Sequence, residues 1–549
     1  MKKKIIFKYA VFCFTLLLFM VPEVSANWED YEVLKQDFEI ESTPPRNQWF
    51  PWVEYNSTDD EFIVLWRSSG PLRDDCDPGD EYECTGDFHS IDGRRVSTDG
   101  VPLGGSIQIA PPDEGYKNGP RFAYNMFTNE YMVVGPVADT PISFDVELLI
   151  ARINNVGGIQ YGLTPIYPGG GSEAMLPIVV FNPTRREYLV VYSDRNIFNA
   201  YLNTVGFILD ENGTPIHGPF PVGNQLGDYY APRAACNPTN NTYLVVWEDF
   251  RHVTDWLTEP CDVYGALLDA EGNMIVEIPV AVDPGMPGEG NQRVPIPIYN
   301  PDKNEFLVVY KDEDPLVGIV VEGWISGRII NADGTPKGPP FLIEDHPRIQ
   351  HWPDVEYVEE EKKYFMVWND FRNDGQPYAT PFYLSPRMDV YARWLDDTGS
   401  PIGDEIIIAE AEEGTENWKF APVIAYSPIK KCFLITWYDR LAIGPNTPFS
   451  DAPADIRGTL YGIPETTVQN PCLAREIYGE HSEEVELLRY TRDNILNRTS
   501  EGRELIKLYY QWSPVIVKAM EKDEGFKEGM KEMIDGVLGL IEEEAEWIF

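Results

Sequence analysis

Short runs of consecutive apolar residues recur along the chain, separated by stretches rich in turn-forming residues. In Tyr243–Trp247 every position is apolar, and most of the residues are β-branched or aromatic. The run is too short for a helix and lacks polar alternation, so it predicts a strand that is buried on both faces. The related runs are Phe62–Trp66, Tyr131–Val134, Tyr188–Tyr192, Phe306–Tyr310, Tyr364–Trp368 and Phe433–Trp437.

Each buried run belongs to a repeat that contains three further strand signals. A proline with an alternating segment precedes the run, and two short segments such as Val263–Leu268 and Phe220–Val222 follow it. Four short strands per repeat, joined by turns rich in Gly, Pro and Asn, are typical of a propeller blade. The pattern therefore predicts an all-β fold, a β-propeller of about seven four-stranded blades. The Pro-led segments are Pro51–Tyr55, Pro120–Tyr124, Pro177–Phe181, Pro232–Ala235, Pro295–Tyr299, Pro353–Tyr357 and Pro422–Tyr426.

The two ends of the repeat region predict how the ring closes. The last copy stops at Gly462 without a fourth strand, whereas Phe38–Ile40 is a strand signal ahead of the first copy. We expect this N-terminal strand to complete the last blade and remove the open edges of the ring. Because the second copy has Gly135 where others have Trp or Tyr, six or eight blades and an open stack of sheets remain alternatives.

Long loops are predicted to gather on one face of the propeller. The turns between the first and second strands and between the third and fourth are short, whereas the other connections are long and emerge together. Loops on a rigid scaffold often bind ligands, and aromatic side chains often supply the binding energy. This face is therefore the predicted ligand site, although the same aromatic residues could instead pack the loops down. The candidate residues are His252, Trp256, His346, His351, Tyr378, Phe382 and Tyr383.

An Asp and an Arg recur directly after the buried run, and a second Asp begins the third strand. Because the pattern is repeated from blade to blade, we interpret it as structural. The Asp can accept backbone N–H groups, and the Arg can pair with it through two hydrogen bonds. A catalytic ring of carboxylates is the alternative. The motif residues are Asp194, Asp249, Arg251, Asp262, Asp370, Arg372, Asp389, Asp439, Arg440 and Asp455.

The two ends of the chain lack the repeat. Residues 1–26 have a basic start, an apolar run and a small-x-small end, which predicts a signal peptide and an exported protein, whether extracellular, periplasmic or at the cell surface. A propeller is expected at 27–464, a linker at 465–471 and a small α-helical C-terminal domain at 472–549. No other stretch of the sequence is long and apolar enough to span a membrane.

The net charge of −45 narrows the choice of partners. A strongly acidic surface repels nucleic acid, and we interpret it as a source of solubility, with attraction of divalent cations or basic partners as the alternative. The Asp-rich turns lack the length and closing Glu of a calcium loop, so no cofactor and no metal site are expected, with calcium at these turns as the alternative. Six cysteines follow the leader, and an exported protein permits disulfides, although the sequence cannot choose among the fifteen pairings. Cys76 and Cys84, which lie in one loop, are the first candidate pair, and Cys236 and Cys261, which lie in one repeat, could also meet.

Two resemblances rest on these motifs. The pattern Trp-x-Asp-x-Arg with a later Asp-Val/Ile-Tyr-Gly/Ala resembles propeller-like repeats of secreted bacterial proteins over Pro51–Gly462, which implies the fold without an activity. The tail resembles the Cys-Phe-Ile-box (CFI-box) C-terminal domain of exported bacterial proteins, which implies a sorting or surface-association role. Its matching residues are Cys472-Leu473-Ala474, Tyr478-Gly479, Leu488-Arg489, Arg492-Asp493, Gly502, Tyr509-Tyr510 and Ser513-Pro514.

The sequence lacks the common catalytic signatures. G-x-S-x-G, H-E-x-x-H, the P-loop and the dinucleotide fingerprint are all missing. We therefore predict an exported propeller that binds a glycan or protein ligand on the long-loop face. The alternatives are a carbohydrate-active enzyme, a glycosidase or lyase with paired carboxylates, and a structural envelope protein. Convergent carboxylates in the central channel favour the enzyme, whereas a flat aromatic loop face favours binding.

Overall fold

The structure, a computed structural model, describes most of the repeat region and part of the C-terminal tail. Residues Trp28–Ile463 form one compact unit, and the residues from Pro464 onward belong to another. The described residues are 28–42, 47–70, 86–110, 116–117, 119–138, 146–167, 172–196, 202–224, 229–251, 261–282, 291–313, 323–346, 349–374, 387–411, 417–441, 454–464, 473–478, 482, 484, 516–517, 520 and 523–545.

Strands make up nearly all the regular structure of the first unit, which begins with a short 3-10 helix at Trp28–Asp30. The predicted buried runs are strands, and every residue of Tyr243–Trp247 is fully buried. The strands are β1 Glu32–Glu41, β2 Asn47–Asn56, β3 Glu61–Gly70, β4 Gly86–Ser97, β5 Pro102–Ala110, β6 Tyr116–Lys117, β7 Arg121–Asn125, β8 Glu130–Ala138, β9 Val146–Asn154, β10 Ile159–Tyr167, β11 Ser172–Asn182, β12 Glu187–Asn196, β13 Leu202–Asp210, β14 Pro215–Val222, β15 Tyr229–Asn237, β16 Thr242–Asp249, β17 Asp262–Leu268, β18 Met274–Ala281, β19 Asn291–Asn300, β20 Glu305–Glu313, β21 Gly323–Asn331, β22 Pro336–Glu344, β23 Gln350–Val358, β24 Lys363–Asp370, β25 Arg387–Leu395, β26 Pro401–Ala409, β27 Asn417–Ser427, β28 Cys432–Leu441 and β29 Ala454–Gly462.

The strands form four-stranded antiparallel units in chain order. Within a unit each strand pairs with the next one along the chain, as Cys236 of β15 pairs with Tyr243 of β16, and Tyr243 with Leu268 of β17. The complete units are β2–β5, β7–β10, β11–β14, β15–β18, β19–β22 and β23–β26. The short strand β6 also pairs with β8.

The N-terminal strand completes the last unit. Strands β27, β28 and β29 lack a fourth partner from their own part of the chain, and β1 pairs antiparallel with β29, with Phe38 opposite Gly458. The strand is longer than the predicted Phe38–Ile40, and Ile40 is fully buried in the cluster that contains Trp66. An edge that would otherwise be open is therefore paired.

The first strands of the units contact one another in a closed cycle. The cycle runs through β2, β7, β11, β15, β19, β23 and β27 and returns to β2. These strands therefore surround a central channel, and the later strands of each unit lie further out. Apolar clusters fill the space between neighbouring units, such as the cluster shared by β16 and β20. This arrangement is a multi-blade β-propeller, in which each unit is one blade.

A repeated backbone bulge shapes the first strands. In six of the seven blades, the residue before the blade proline has a positive φ, between 45° and 52°, although none of these six residues is glycine. An L-residue ahead of proline rarely adopts this conformation, so the surrounding structure has to hold it. The strand register shifts at each of these sites, for instance between Trp49 and Trp52. The positive-φ residues are Phe50, Leu176, Ala231, Val294, Trp352 and Ala421.

Asparagines at the ends of the first strands link neighbouring blades. Asn300 is fully buried, its side-chain oxygen accepts the N–H of Lys303, and its Nδ2 donates to the Tyr364 hydroxyl of the next blade at 2.9 Å. Asn56 donates to the Tyr131 hydroxyl in the same way, at 2.9 Å. These turns were predicted from local turn chemistry, and the structure adds that they connect blades.

The described part of the tail contains two α-helices, α1 at Leu473–Tyr478 and α2 at Glu524–Ala545. The sequence pattern predicts a helix over Gly525–Glu544, and α2 covers this range. Side chains of both parts pack together, because Leu473 and Met530 share a buried cluster and the Tyr478 hydroxyl donates to Asp535 at 2.7 Å. The other predicted helices, and most residues of the CFI-box resemblance, lie outside the described residues.

Candidate functional site

The residue that follows each blade proline lies at the same level of the channel wall. Most of these residues are apolar, but two are arginines and one is an aspartate. Arg121, Arg233 and Asp354 belong to β7, β15 and β23, which are not neighbours in the ring. Each nevertheless affects the pKa of another, so they face a common space across the channel. The full set, here called the channel layer, is Trp52, Arg121, Ile178, Arg233, Ile296, Asp354 and Val423.

Trp52 reaches across the channel layer. It packs against the clusters on both sides of its own blade and also against the cluster between the β11–β14 and β15–β18 blades. The Arg121 guanidinium carbon lies 4.4 Å from the Trp52 ring centroid, which is a cation–π contact. The indole N–H points to Glu54 Oε1 at 3.4 Å. An aromatic face and charged groups therefore meet in the middle of the channel.

The two arginines are held in the same way. Arg121 Nη1 donates to the carbonyl of Pro120 at 2.9 Å, and Arg233 Nη1 donates to the carbonyl of Pro232 at 3.0 Å. Both residues are half-buried, and the Nε atom of each is buried without a hydrogen-bond partner among the described residues. Neither guanidinium forms an ion pair with a carboxylate in the part of the chain that the structure describes. Each guanidinium is therefore held at Nη1 by its own backbone, and its Nε is shielded from solvent.

The carboxyl groups of the channel are held by other contacts. Asp354 accepts the backbone N–H of Ile424 at 3.1 Å and that of Val355 at 3.0 Å. Burial raises the pKa of Asp354 to about 7, although these N–H groups and both arginines oppose the rise. Burial also raises the pKa of Glu54 to about 8, and the pKa of Glu356 lies well above its usual value because of burial and the nearby Asp354 and Glu54.

These shifts favour the protonated forms of the channel carboxyls Glu54, Asp354 and Glu356 relative to ordinary carboxyl groups. Burial and the like charge of Arg233 lower the pKa of Arg121 to about 9, which still leaves it charged at neutral pH. The channel offers N–H donors, acidic O–H donors and an aromatic face, which together suit a polar or anionic ligand.

The repeated Asp–Arg motif lies outside the channel layer, at the end of the second strand. Asp249 accepts the indole N–H of Trp247 at 2.8 Å and binds Arg251 through two hydrogen bonds of 2.7 and 2.6 Å. Asp370 binds Arg372 with the same geometry, at 2.9 and 2.6 Å. Both aspartates are buried and all these contacts lie within one blade, as a structural motif requires.

The second Asp of the motif lies across from the first, on the third strand. The opposite pairs are Asp249 with Asp262, Asp370 with Asp389, and Asp439 with Asp455. Asp389 accepts the N–H of Ala411 at 2.7 Å and the Nδ2 of Asn373 at 3.0 Å, so it anchors two loop segments. Burial raises the pKa of both Asp389 and Asp455.

The remaining motif residues depart from this geometry. Asp439 accepts a hydrogen bond from Lys419 Nζ at 2.8 Å, and the Arg440 guanidinium lies over the Trp49 ring at 5.3 Å. Asp194 is half-buried in β12, opposite Asn203. The motif is therefore uniform in only some of the blades.

Two of the predicted loop residues can be located. His346 is half-exposed just after β22, and its carbonyl accepts the Gln350 side chain at 3.1 Å. His351 lies within β23 instead of a loop and is buried, with its ring 3.7 Å from that of Trp352. The other candidates lie outside the described residues, namely His252, Trp256, Tyr378, Phe382 and Tyr383.

The expected disulfide between Cys236 and Cys261 is wrong, because both thiols are free. Cys236 pairs with Tyr243 near one end of the blade, whereas Cys261 precedes Asp262, which pairs with Asp249 at the other end. Six residues of strand separate the two levels, about 20 Å. The Cys261 thiol instead donates to the carbonyl of Gln292 at 3.1 Å. Cys76 and Cys84 lie outside the described residues.

Among the described residues, no group of three or more His, Cys, Asp or Glu side chains is placed to hold a metal ion. None of the helices in the described part of the chain has the length and apolar character that a membrane crossing requires.

No protein-family model and no curated protein matches the chain. Solved structures resemble it at low identity. A protein of unknown function from Dyadobacter fermentans is 13% identical, covers 79% of this chain and 100% of its own, and has a TM-score of 0.43. The subtype N11 neuraminidase-like protein of the flat-faced bat H18N11 isolate is 9% identical, with coverages of 79% and 96% and a TM-score of 0.38. The GH93 alpha-L-arabinofuranosidase of Fusarium graminearum with arabinobiose is 10% identical, with coverages of 62% and 91% and a TM-score of 0.39. Similarities this distant do not bear on function.

The channel residues were missed by the sequence analysis. The signal was present, because Trp52, Arg121, Arg233 and Asp354 each follow a blade proline where other copies have Ile or Val. A charge at an otherwise apolar repeat position marks a site where the blade departs from its structural consensus. The Asp–Arg motif is easier to recognise because it is repeated, but a motif repeated in many blades indicates a structural role.

Proposed function

We propose that the chain is an exported seven-bladed β-propeller that binds a carbohydrate ligand in its central channel. The closed cycle of first strands supports the blade number. The observation that carries the function is the channel layer, where the Trp52 face lies beside Arg121, Arg233 and Asp354. Sugars are recognised by an aromatic surface under the ring and by convergent hydrogen-bonding groups around the hydroxyls.

A purely structural protein gains nothing from this arrangement. Burying part of a guanidinium without a direct ion pair opposes folding, and the half-buried Arg121 and Arg233 have no such pair among the described residues. A ligand in the channel can accept hydrogen bonds from the guanidinium groups of Arg121 and Arg233. The acidic surface and the predicted leader support export. The C-terminal tail is proposed to assist sorting or surface association. The proposed binding requires no cofactor.

The test is a glycan array probed with the full chain, followed by calorimetric titration of the saccharide that binds best. Glu356→Gln should weaken binding at least about ten-fold, because it alters a hydrogen-bonding group in the channel. The matched control is Glu359→Gln, which changes an exposed residue in the turn after the same strand. If Glu356→Gln binds normally while Trp256→Ala loses the saccharide, the site lies on the loops and the channel proposal is wrong.

A second candidate function is hydrolysis or elimination on a saccharide. Its specific support is the pKa of about 7 for Asp354 and about 8 for Glu54, the range in which a carboxyl acts as a general acid at neutral pH. New reducing or unsaturated ends should then form from the bound saccharide. Asp354→Asn should slow their formation at least about 100-fold. A saccharide that binds and remains intact supports the binding protein.

A further inference from the structure

Arg121 and Arg233 share a geometry that is preorganised for an anion. Each guanidinium is anchored through Nη1 to the carbonyl of its own preceding proline, at 2.9 and 3.0 Å. The Nε of each is buried and has no hydrogen-bond partner among the described residues. A planar guanidinium fixed at one nitrogen still presents a second edge, which matches the two oxygens of a carboxylate.

The charge of Asp354 raises the pKa of both arginines, but Asp354 forms no direct ion pair with either of them among the described residues. The oxygens of Asp354 are already engaged by two backbone N–H groups, and Glu54 accepts from Trp52. No Arg121 or Arg233 ion pair is present in the described part of the chain. Two like charges therefore act on the same region, and the charge of Arg233 lowers the pKa of Arg121. A ligand with its own negative charge removes this repulsion.

We propose that the ligand of the channel is an acidic saccharide, whose carboxylate binds between Arg121 and Arg233 while its ring packs against Trp52. This inference rests on the proposed carbohydrate-binding function and specifies the substrate class. It also explains why a protein with a net charge of −45 keeps two arginines at the centre of its ring. The acidic surface repels anions in general, so the carboxylate must be recognised locally.

The experiment measures binding of D-glucuronate and D-galacturonate to the full chain by calorimetry and by thermal shift. Three comparison ligands are measured at matched ionic strength. The methyl esters test the need for the carboxylate charge, D-glucose tests the sugar ring alone, and sodium sulfate tests a free anion. The hexuronates should bind at least about ten-fold more tightly than their esters, glucose or sulfate, and raise the melting temperature.

Arg233→Met separates ligand binding from structure. The variant should lose hexuronate binding by at least about ten-fold, because one arm of the anion site is gone. Its melting temperature should stay the same or rise, since a half-buried guanidinium without a direct ion pair among the described residues is replaced by an apolar side chain of similar length. Arg186→Met is the control, because Arg186 is exposed on a turn, where it pairs with Glu211 and lies over the Phe127 ring.

Four outcomes would overturn the inference. Sulfate that binds as tightly as the hexuronates would identify a simple anion site. Arg233→Met that lowers the melting temperature and keeps hexuronate binding would make Arg233 structural. Glucose or another neutral sugar that binds as tightly as the hexuronates, with loss of binding in Glu356→Gln, would overturn the acidic ligand but keep the proposed function. Failure of both acidic and neutral saccharides to bind would overturn both.

Discussion

Glu248 accepts a hydrogen bond from the backbone N–H of Val294 at 2.9 Å, although the two residues belong to neighbouring blades. Val294 is the positive-φ residue ahead of a blade proline, so the glutamate supports an unfavourable backbone conformation. Asn369 supports Ala421 in the same way, at 2.9 Å. The variable residue between the motif Trp and Asp therefore holds the bulge of the next blade.

In one blade, the position that corresponds to Glu248 and Asn369 cannot accept a hydrogen bond. Lys311 occupies the equivalent position in β20, and an ammonium group has no acceptor. In the following blade His351 Nδ1 accepts the N–H of Trp352 at 2.9 Å. Burial and the nearby charges of Lys311 and Arg293 hold the pKa of His351 well below its usual value, so its imidazole is neutral and can accept. His351 supplies the acceptor that Lys311 lacks.

The first prediction tests this inter-blade support. Glu248→Met removes the acceptor for Val294 and should lower the free energy of unfolding by about 1–3 kcal/mol. Glu248→Gln keeps an acceptor oxygen of the same length and should lose less than about 1 kcal/mol. Urea denaturation of both variants measures the difference. Equal losses would mean that the charge of Glu248, and not the hydrogen bond to the bulge, is what stabilises this site.

The second prediction concerns the asparagine links between blades. Asn300→Ala leaves the buried Tyr364 hydroxyl without its donor and should lower the free energy of unfolding by about 1–3 kcal/mol. The double variant Asn300→Ala with Tyr364→Phe should lose less free energy of unfolding than the sum of the two single losses, by at least about 0.5 kcal/mol. Asn240→Ala, at an exposed position of the corresponding earlier turn, is the control. Strict additivity in the double-mutant cycle would show that the two residues do not interact.

The third prediction concerns pH. The unfolded chain releases the Glu54 proton near pH 4.5, whereas the folded protein keeps it to about pH 8. The folded state therefore binds more protons between these values, and its stability falls as pH rises through this range. Asp354 and Glu356 act in the same direction. Glu54→Gln should reduce the fall between pH 5 and 8 by roughly 1–3 kcal/mol. An unchanged pH profile would contradict a buried, protonated Glu54.

The fourth prediction concerns ring closure. Deleting residues 28–41 leaves β29 as an open edge and removes Phe38 and Ile40 from the core. The melting temperature should fall by at least about 5 °C, because several buried apolar groups are lost together. Ile40→Ala should lower stability on its own, whereas Gln36→Ala, at an exposed position of the same strand, should not. A deletion variant that melts like the full chain would show that the strand does not close the ring.

The blade pattern was open to prediction because its causes are local. A buried run such as Tyr243–Trp247, a proline before the first strand and Asn-containing turns each specify structure within a few residues. The strand signal before the first copy identified β1 because the last copy lacked a fourth strand. These inferences needed only the order of elements along the chain.

The candidate site depends on contacts that the order of elements does not specify. Arg121, Arg233 and Asp354 are far apart in sequence and meet only because the ring closes at a particular size. The acceptor that holds Val294 comes from Glu248 in another blade for the same reason. The disulfide expectation failed because Cys236 and Cys261 share a blade but lie at opposite ends of it. Two residues of the same repeat can therefore lie at different heights along the channel axis.

The most direct test of the account is a crystal structure of the full chain grown with D-glucuronate. The account predicts the sugar in the central channel, with its carboxylate within about 3 Å of the guanidinium nitrogens of Arg121 and Arg233 and its ring against Trp52. A sugar bound on the long loops outside the channel, with the channel layer unchanged, would contradict it.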